Sequence, residues 1–432
     1  MRDRKCFGGI VSAIESATAA KTAKVANRWI IAVAGIVIQA CLGTVYAWSV
    51  FPRPLNAAHG WAMPSITVAF TIAIFVMAFS AAVGGYILDS KGPRVVATVG
   101  GAFFGAGILV TGYAAHIGSL PLIYCGYGLL CGIGLGFGYI TPIATLVKWF
   151  PDKRGLITGL AVMGFGLGSG MMAWLAPGMI AKIGVPTTLY IFGGVFFAAV
   201  VAAAQLMVAP PAGYSPPGWT QPAGTSAASG MTLGEALRTK YFYLFWVMLF
   251  LNVTAGVAVI SQASPMAQEF MKNSTIPVDS QAAAAGSLLL LFAIFNGLGR
   301  LIWASLSDKI GRRTVFFILF ASQAILFFVL YIAPPSLPLF VILICYQYAC
   351  LGGGFATMPA YAADTFGTKY AGRIYGWMLT AWGIAAVAGP TVYARVYQSS
   401  GSYTRALLYT AVMFVFALLI PALSAPKKAG TA

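Results

Sequence analysis

The sequence predicts an all-α membrane protein: twelve transmembrane helices arranged as two pseudo-symmetric six-helix bundles. Three observations predict it. Of 432 residues, 59% are hydrophobic and only 8% are charged, too few polar groups to cover a soluble surface. The apolar residues fall into twelve runs, each long enough to cross a bilayer as a helix. Motifs of the first half recur in the second. Continuous hydrophobicity excludes an outer-membrane barrel, whose strands alternate.

In order, the runs begin near Trp29, Ala62, Val95, Pro121, Leu156, Thr187, Tyr241, Ala282, Thr314, Leu337, Ile374 and Arg405. They divide the chain into an N-terminal tail (1–27), a first bundle (28–209), a linker (210–240), a second bundle (241–424) and a short tail (425–432). The basic segment Met1–Arg28 runs straight into a full-length first span, so no cleavable leader is expected. Ala209–Gly230 is rich in Pro, Gly, Ser and Ala, the composition of a flexible linker. The capping-box spacing Thr232 to Glu235 then predicts a short surface helix before the seventh span.

The halves are related by repeated motifs. GGYILDSKGPR (84–94) recurs as ASLSDKIGRR (304–313), each with an aspartate, Asp89 or Asp308, ahead of a short basic turn. FGYITP before KWFPDKRGLITG is matched by GFATMP before DTFGTKYAGRIYG.

A net charge of +17 invites a nucleic-acid reading, and its distribution argues against one. With the N-terminus inside, about 20 of the 26 Lys and Arg residues fall in the tails and the loops of one face, Lys91, Arg94, Lys148, Arg312 and Arg373 among them. The other face holds Arg53, Lys182, Lys272, Arg395 and Arg405. This positive-inside asymmetry places both termini in the cytoplasm of a cell inner (plasma) membrane protein. Cys41, Cys125, Cys131, Cys345 and Cys350 fall within spans and Cys6 in the tail, none at ligand spacing, so they read as packing residues with no metal and no disulfide. No Walker sequence is present, the GxxxG spacings lie in apolar helices, and no acid or histidine falls in a span's interior. Neither a cofactor nor catalysis is expected.

Arg300 stands apart from the other cations. It lies inside the run Ser287–Leu306, where a cation at depth costs several kcal/mol unless it is paired. This makes it the leading site for a small anion; the alternatives are snorkelling to headgroups or bonding to backbone carbonyls. Asn296, four residues earlier, shares its helix face. An amide and a guanidinium can together offer several donors to one carboxylate, although Asn296 could instead join two helices. In the Gly-rich fourth span Tyr139 lies near Pro142, and its phenol is the leading partner from the first half; plain packing is its alternative. Tyr46, Trp48 and Phe355 are further candidates for pocket walls. Tyr361 and Trp382 are weaker ones, for which packing is the rival role.

The two aspartate–basic loops resemble the loop motif of the major facilitator superfamily. Within it, NRW (27–29), YAWSVF (46–51), KWFPDKRGL (148–156) and FNGLGR with SDKIGR (295–312) resemble the oxalate/formate antiporter and monocarboxylate transporter group, over nearly the whole chain. The resemblance implies the major facilitator fold and a gate in which Asp89, Arg94, Asp308, Arg312 and Arg313 hold helix ends together. Two departures matter. Oxalate exchangers of the group carry a lysine in the eleventh helix, where alignment on Tyr375-Gly376 puts Trp382. Proton-coupled animal porters carry an aspartate where this chain has Asn296.

The combined expectation is a secondary transporter of small monocarboxylates such as lactate, pyruvate or formate, with alternating access around Arg300. Its partners are the lipid bilayer, the monocarboxylate anion and either a proton or a counter-anion, with no nucleic acid; it is expected to be a monomer. Family resemblance favours proton coupling. An oxalate/formate-type exchanger and a non-transporting, transporter-like receptor are the other readings.

Overall fold

The computed structural model describes residues 26–211, 213–219, 230–271, 277–332 and 336–424. The expected tails up to residue 25 (with Cys6) and from 425, the linker stretch 220–229 and Lys272 lie outside the described residues.

Helix α1 (Arg28–Gly43) starts at an Asn27 cap and tightens into a 3₁₀ turn over Thr44–Val50. Helices α2 (Met63–Lys91) and α3 (Pro93–Ile117) follow, each with proline in its first turn, where a missing N–H does no harm. A π-helical turn, Tyr124–Leu130, leads into α4 (Cys131–Trp149). The 52-residue stretch Arg154–Gln205 holds two crossings, α5 (154–183) and α6 (185–205), because Gly184 at φ 77° and ψ 167° breaks the helix just before Pro186. The second half comprises α7 (Lys240–Met271), α8 (Val278–Ile310), α9 (Arg312–Ile332) and α10 (Leu337–Phe366). It ends with α11 (Ala371–Met378 and Thr380–Ser400, interrupted at Leu379) and α12 (Thr404–Ala417, continued by Leu419–Leu423).

Ten helical segments among the described residues are long and apolar enough to cross a membrane. One of them is the double crossing α5–α6, and the twelfth crossing is the interrupted α11, whose polar content keeps it below that threshold.

Packing repeats between the halves. Helix α1 lies on α5 as α7 lies on α11, α2 on α4 as α8 on α10, and α3 on α6 as α9 on α12. The halves meet along two seams, α2 with α11 and α5 with α8. At the seams small residues allow backbone to touch backbone: a Cβ added at Gly85 would collide with the Gly372 carbonyl, and one at Gly155 with the Ala304 carbonyl.

The linker is less free than its composition predicts. Its first part docks on the end of α4, where Tyr214 packs edge-on against Trp149, whose indole donates at 2.7 Å to the Val208 carbonyl just before the linker. Its last part docks on the end of α10 through Met231 N–H to Phe366 O, 2.9 Å. The Thr232–Glu235 capping box forms as expected and starts the helix Leu233–Leu237. Cys125 is exposed, contrary to its expected packing role, whereas Cys41, Cys131, Cys345 and Cys350 are buried.

Candidate functional site

Arg300 is the one charged residue buried as a whole among the described residues, at 5% exposure. It does not snorkel. Its Nε donates to Asn296 Oδ1 at 3.1 Å and one terminal nitrogen to the Val162 carbonyl of α5 at 3.1 Å, so the arginine reaches from the second half into the first. These bonds use two of the five guanidinium N–H groups and leave donor capacity for a guest. All of the named partners are neutral. Gly352 makes room for the arrangement, since a Cβ there would press on the Arg300 stem and the Asn296 backbone.

Around the guanidinium stands a cage of rings from both halves. Its Cζ lies 6.0 Å from the Phe165 ring centroid and 5.7 Å from that of Phe355, within cation–π reach. Trp382 meets Phe355 at 4.8 Å, Tyr139 at 5.7 Å, Tyr46 at 6.3 Å and Phe165 at 6.5 Å. The Tyr46 hydroxyl faces the guanidinium. Tyr139 is fully buried, and its carbonyl accepts from Gln39 Nε2 at 3.2 Å. Tyr139, Tyr46, Phe355 and Trp382, expected from the sequence, are thus brought together with Arg300. Phe165 and Tyr375 complete the constellation and were not singled out by the sequence, because an aromatic residue in an apolar helix carries no sign of the face it occupies.

Two expected wall roles are corrected and one binding role is narrowed. The Asn296 amide is largely engaged by protein: Nδ2 donates to the Tyr348 carbonyl of α10 at 3.0 Å while Oδ1 receives Arg300, so Asn296 orients the arginine and ties α8 to α10, with one amide N–H left over. Trp48 lies away from the cage, its ring tilted against Tyr127 at 3.9 Å between centroids with its indole N–H on the Ile66 carbonyl. Tyr361 packs on Phe245 at 4.1 Å and bonds Ser424 at 3.0 Å, in the core of the second half.

At the end of the bundle that carries the basic loops, each repeated aspartate caps a helix of the opposite half. Asp308 accepts from Gly155 N and Leu156 N, both at 2.9 Å, at the start of α5. Asp89 accepts from Arg373 N at 3.1 Å, at the start of α11. The first-turn N–H groups of a helix have no partner within it, and its dipole favours a carboxylate there. Arg312 pairs with Asp308 at 2.7 Å and with Asp364 at 2.9 Å; Asp364 also holds Arg154 of the first half at 2.6 Å. Lys148 pairs with Asp89 at 3.2 Å and reaches the Lys369 carbonyl. Two gate assignments change. Arg94 is exposed and makes no ion pair among the described residues; Lys148 stands at Asp89 in its place. Arg313 donates to the Pro421 and Ala422 carbonyls, fastening α9 to the end of α12.

Between this polar layer and Arg300, Ile143 and Val147 of α4 close with Ala363, Phe366, Ile374 and Tyr375 around a small apolar void. The basic end is closed by an outer polar clasp and an inner apolar plug. If the clasp holds this state, Asp308→Asn, which weakens a charge-assisted acceptor but keeps its shape, should slow turnover several-fold. Cysteine labelling from the basic end should rise, at similar ligand affinity. Unchanged turnover and labelling in Asp308→Asn, Asp89→Asn and the double variant would show that the loops only orient the chain.

The chain is 28% identical to the oxalate:formate antiporter of Oxalobacter formigenes, over 95% of this chain and 96% of that protein. It is 24% identical to apicoplast pyruvate carrier 1 of Toxoplasma gondii, over 91% and 89%. Among solved structures it superposes on a Major Facilitator Superfamily transporter, FucP, in the outward conformation, with a TM-score of 0.69 and 16% identity over 91% of this chain and 99% of that one. It also superposes on the proton:xylose symporter XylE, with a TM-score of 0.67 and 14% identity over 92% and 96%. The profile of the Major Facilitator Superfamily matches residues 32–276 and 260–431. With its twelve crossings, repeated halves and site at their junction, this chain belongs to the Major Facilitator Superfamily: it is a membrane transporter and not an enzyme.

Proposed function

We propose that the protein is a secondary carrier of small monocarboxylate anions, working by alternating access of its two halves around Arg300. One observation carries the reading: a single buried guanidinium, with N–H groups to spare, in a ring-lined cage at the junction of the halves. A guanidinium fork matches a carboxylate, and the rings suit a short apolar body. A second carboxylate would be desolvated without a partner, at a cost of several kcal/mol. The basic end, by the positive-inside rule, faces the cytoplasm of the cell membrane.

Coupling has two routes. Inward movement of a monoanion against an inside-negative potential is opposed by about 2.3 kcal/mol per 100 mV, so uptake requires a co-transported proton or a counter-anion. Proton symport is the first reading. Exchange is the second, favoured by the neutral surroundings of Arg300: an empty carrier must cross with its buried charge uncompensated, whereas a loaded one does not. Similarity to the oxalate:formate antiporter points the same way.

The test is lactate uptake into proteoliposomes under an imposed pH gradient, with and without internal lactate. Uptake driven by the gradient alone supports symport, and uptake requiring internal anion supports exchange. No uptake of any small carboxylate under either condition overturns the proposal. Selectivity offers a separate check. Trp382 lies in the cage, so Trp382→Lys places a second cation beside Arg300 and should shift preference toward oxalate by at least roughly tenfold relative to lactate. Tighter binding of oxalate than of lactate by the unaltered protein would refute the single-cation argument.

A further inference from the structure

We propose that Trp246 and Thr380 are positioning residues for the anion cage: together they pin the interruption of α11 and so set where the Trp382 ring stands. The inference rests on the reading of the Arg300 cage as the carboxylate site, and it adds two residues that act on the guest only through Trp382.

Helix α11 is in two pieces with different fastenings. The piece nearer the basic end, Ala371–Met378, has its first turn capped by Asp89, and a Cβ at its Gly376 would press on the Ala81 carbonyl of α2. The piece Thr380–Ser400 runs along α7, where a Cβ at Gly389 would collide with the Thr254 carbonyl. Between the pieces, Leu379 O accepts from Trp382 N at 2.9 Å, a bond that closes over three residues. Such a turn advances about 120° per residue, where an α-helix advances about 100°. The direction of the Trp382 ring therefore depends on this turn keeping its form.

One hydroxyl holds the turn. Thr380 is buried, and its Oγ1 donates to the Trp377 carbonyl at 2.7 Å while accepting from the Trp246 indole of α7 at 2.9 Å. A hydroxyl can do both at once and a methyl can do neither. Trp48 and Trp149 spend their indole N–H groups on backbone carbonyls, whereas Trp246 reaches a side chain at a helix interruption. Its ring is itself fixed, stacked on Phe250 at 5.4 Å. What the pin governs is large in effect, because Trp382 meets Phe355, Tyr139, Tyr46 and Phe165, rings from both halves. Loss of the pin lets the turn relax toward a regular helix and carries the Trp382 ring away from these neighbours. The cage then widens around the body of the guest while Arg300 keeps its own bonds to Asn296 and Val162.

Lactate and 3-phenyllactate share a head group and differ in the bulk of the body, so they make the test. KM and kcat for lactate, and the inhibition constant of 3-phenyllactate against lactate, are measured by counterflow in proteoliposomes for the unaltered protein, Thr380→Val, Thr380→Ser, Trp246→Phe and Arg300→Ala. Valine keeps the shape of threonine without the hydroxyl, and phenylalanine keeps a ring on Phe250 without the N–H. Thr380→Val and Trp246→Phe should each raise the lactate KM roughly 5- to 20-fold with kcat within about twofold, and should lower the preference for lactate over 3-phenyllactate by a similar factor. Thr380→Ser should restore both values. Parental KM and selectivity in Thr380→Val and Trp246→Phe would overturn the pin, as would a fall in kcat alone, which is the signature of a packing role. A Thr380→Ser variant as impaired as Thr380→Val would also overturn it, by showing that the methyl group matters and not the hydroxyl. Lactate transport that persists in Arg300→Ala would remove the carboxylate reading itself, whereas Arg300-dependent transport with neutral pin variants removes the pin alone. Should Thr380→Val fail to purify as a monodisperse carrier, Trp246→Phe decides.

Discussion

Arg300→Ala is expected to abolish substrate binding, lowering affinity by at least roughly 100-fold, because it removes the buried cation and its donors together. Arg300→Lys should recover little. An ammonium carries the charge but not the planar fork, and it cannot reach Asn296 Oδ1, the Val162 carbonyl and a guest with the same geometry. Folding should respond differently from binding. Truncation leaves the Asn296 and Val162 oxygens without their donor, which costs on the order of 1–3 kcal/mol, but it also relieves a desolvated charge that has only neutral partners. The expected variant is therefore folded and inert, with a melting temperature near that of the parent. Thermal unfolding with and without lactate, beside uptake, separates the two effects: the parent should gain stability with ligand and the variant should not. Near-normal uptake by Arg300→Ala would end the proposal.

Gly155→Val and Gly85→Val are expected to have the second largest effect, cutting turnover by more than roughly tenfold. At both seams helix backbones touch, and a side chain cannot enter without separating the halves at the basic end. Separation would also pull the Gly155 and Leu156 N–H groups away from Asp308, so the clasp and the seam fail together. A cysteine placed at Val147, in the plug, should become reactive from the basic end in both variants. Gly170→Val is the control, since a Cβ there meets nothing within 4 Å. Parental turnover and a protected Val147 site in Gly155→Val would mean that this end does not need to close.

These expectations draw unequally on sequence and structure. Arg300 was legible because a charge within an apolar run is a local anomaly that needs no neighbour to be noticed. Asp89 and Asp308 were legible because their motif occurs twice. Their partners were not: Arg94, five residues from Asp89, was the natural choice by proximity along the chain, yet Lys148, 59 residues away, holds the carboxylate. Chain distance says little about which helix ends meet once twelve helices are bundled. Asn296 is legible as a face-sharing neighbour of Arg300, but the choice between its two roles is not, because the Tyr348 carbonyl that takes one of its amide N–H groups belongs to another helix.

The sequence by itself determined the number and order of the crossings, the duplication and the buried cation. Each follows from hydropathy, periodicity or a repeated motif, all of which are local along the chain. Only the tertiary structure decided which aromatics are functional candidates. Trp48 and Trp382 are alike as residues in apolar helices, yet Trp48 packs within the first half and Trp382 joins the cage. The physical reason is that lipid and a dry protein interior are similarly apolar, so hydropathy cannot tell a ring facing the site from one facing packing or lipid. That distinction arises only when the halves meet and enclose Arg300.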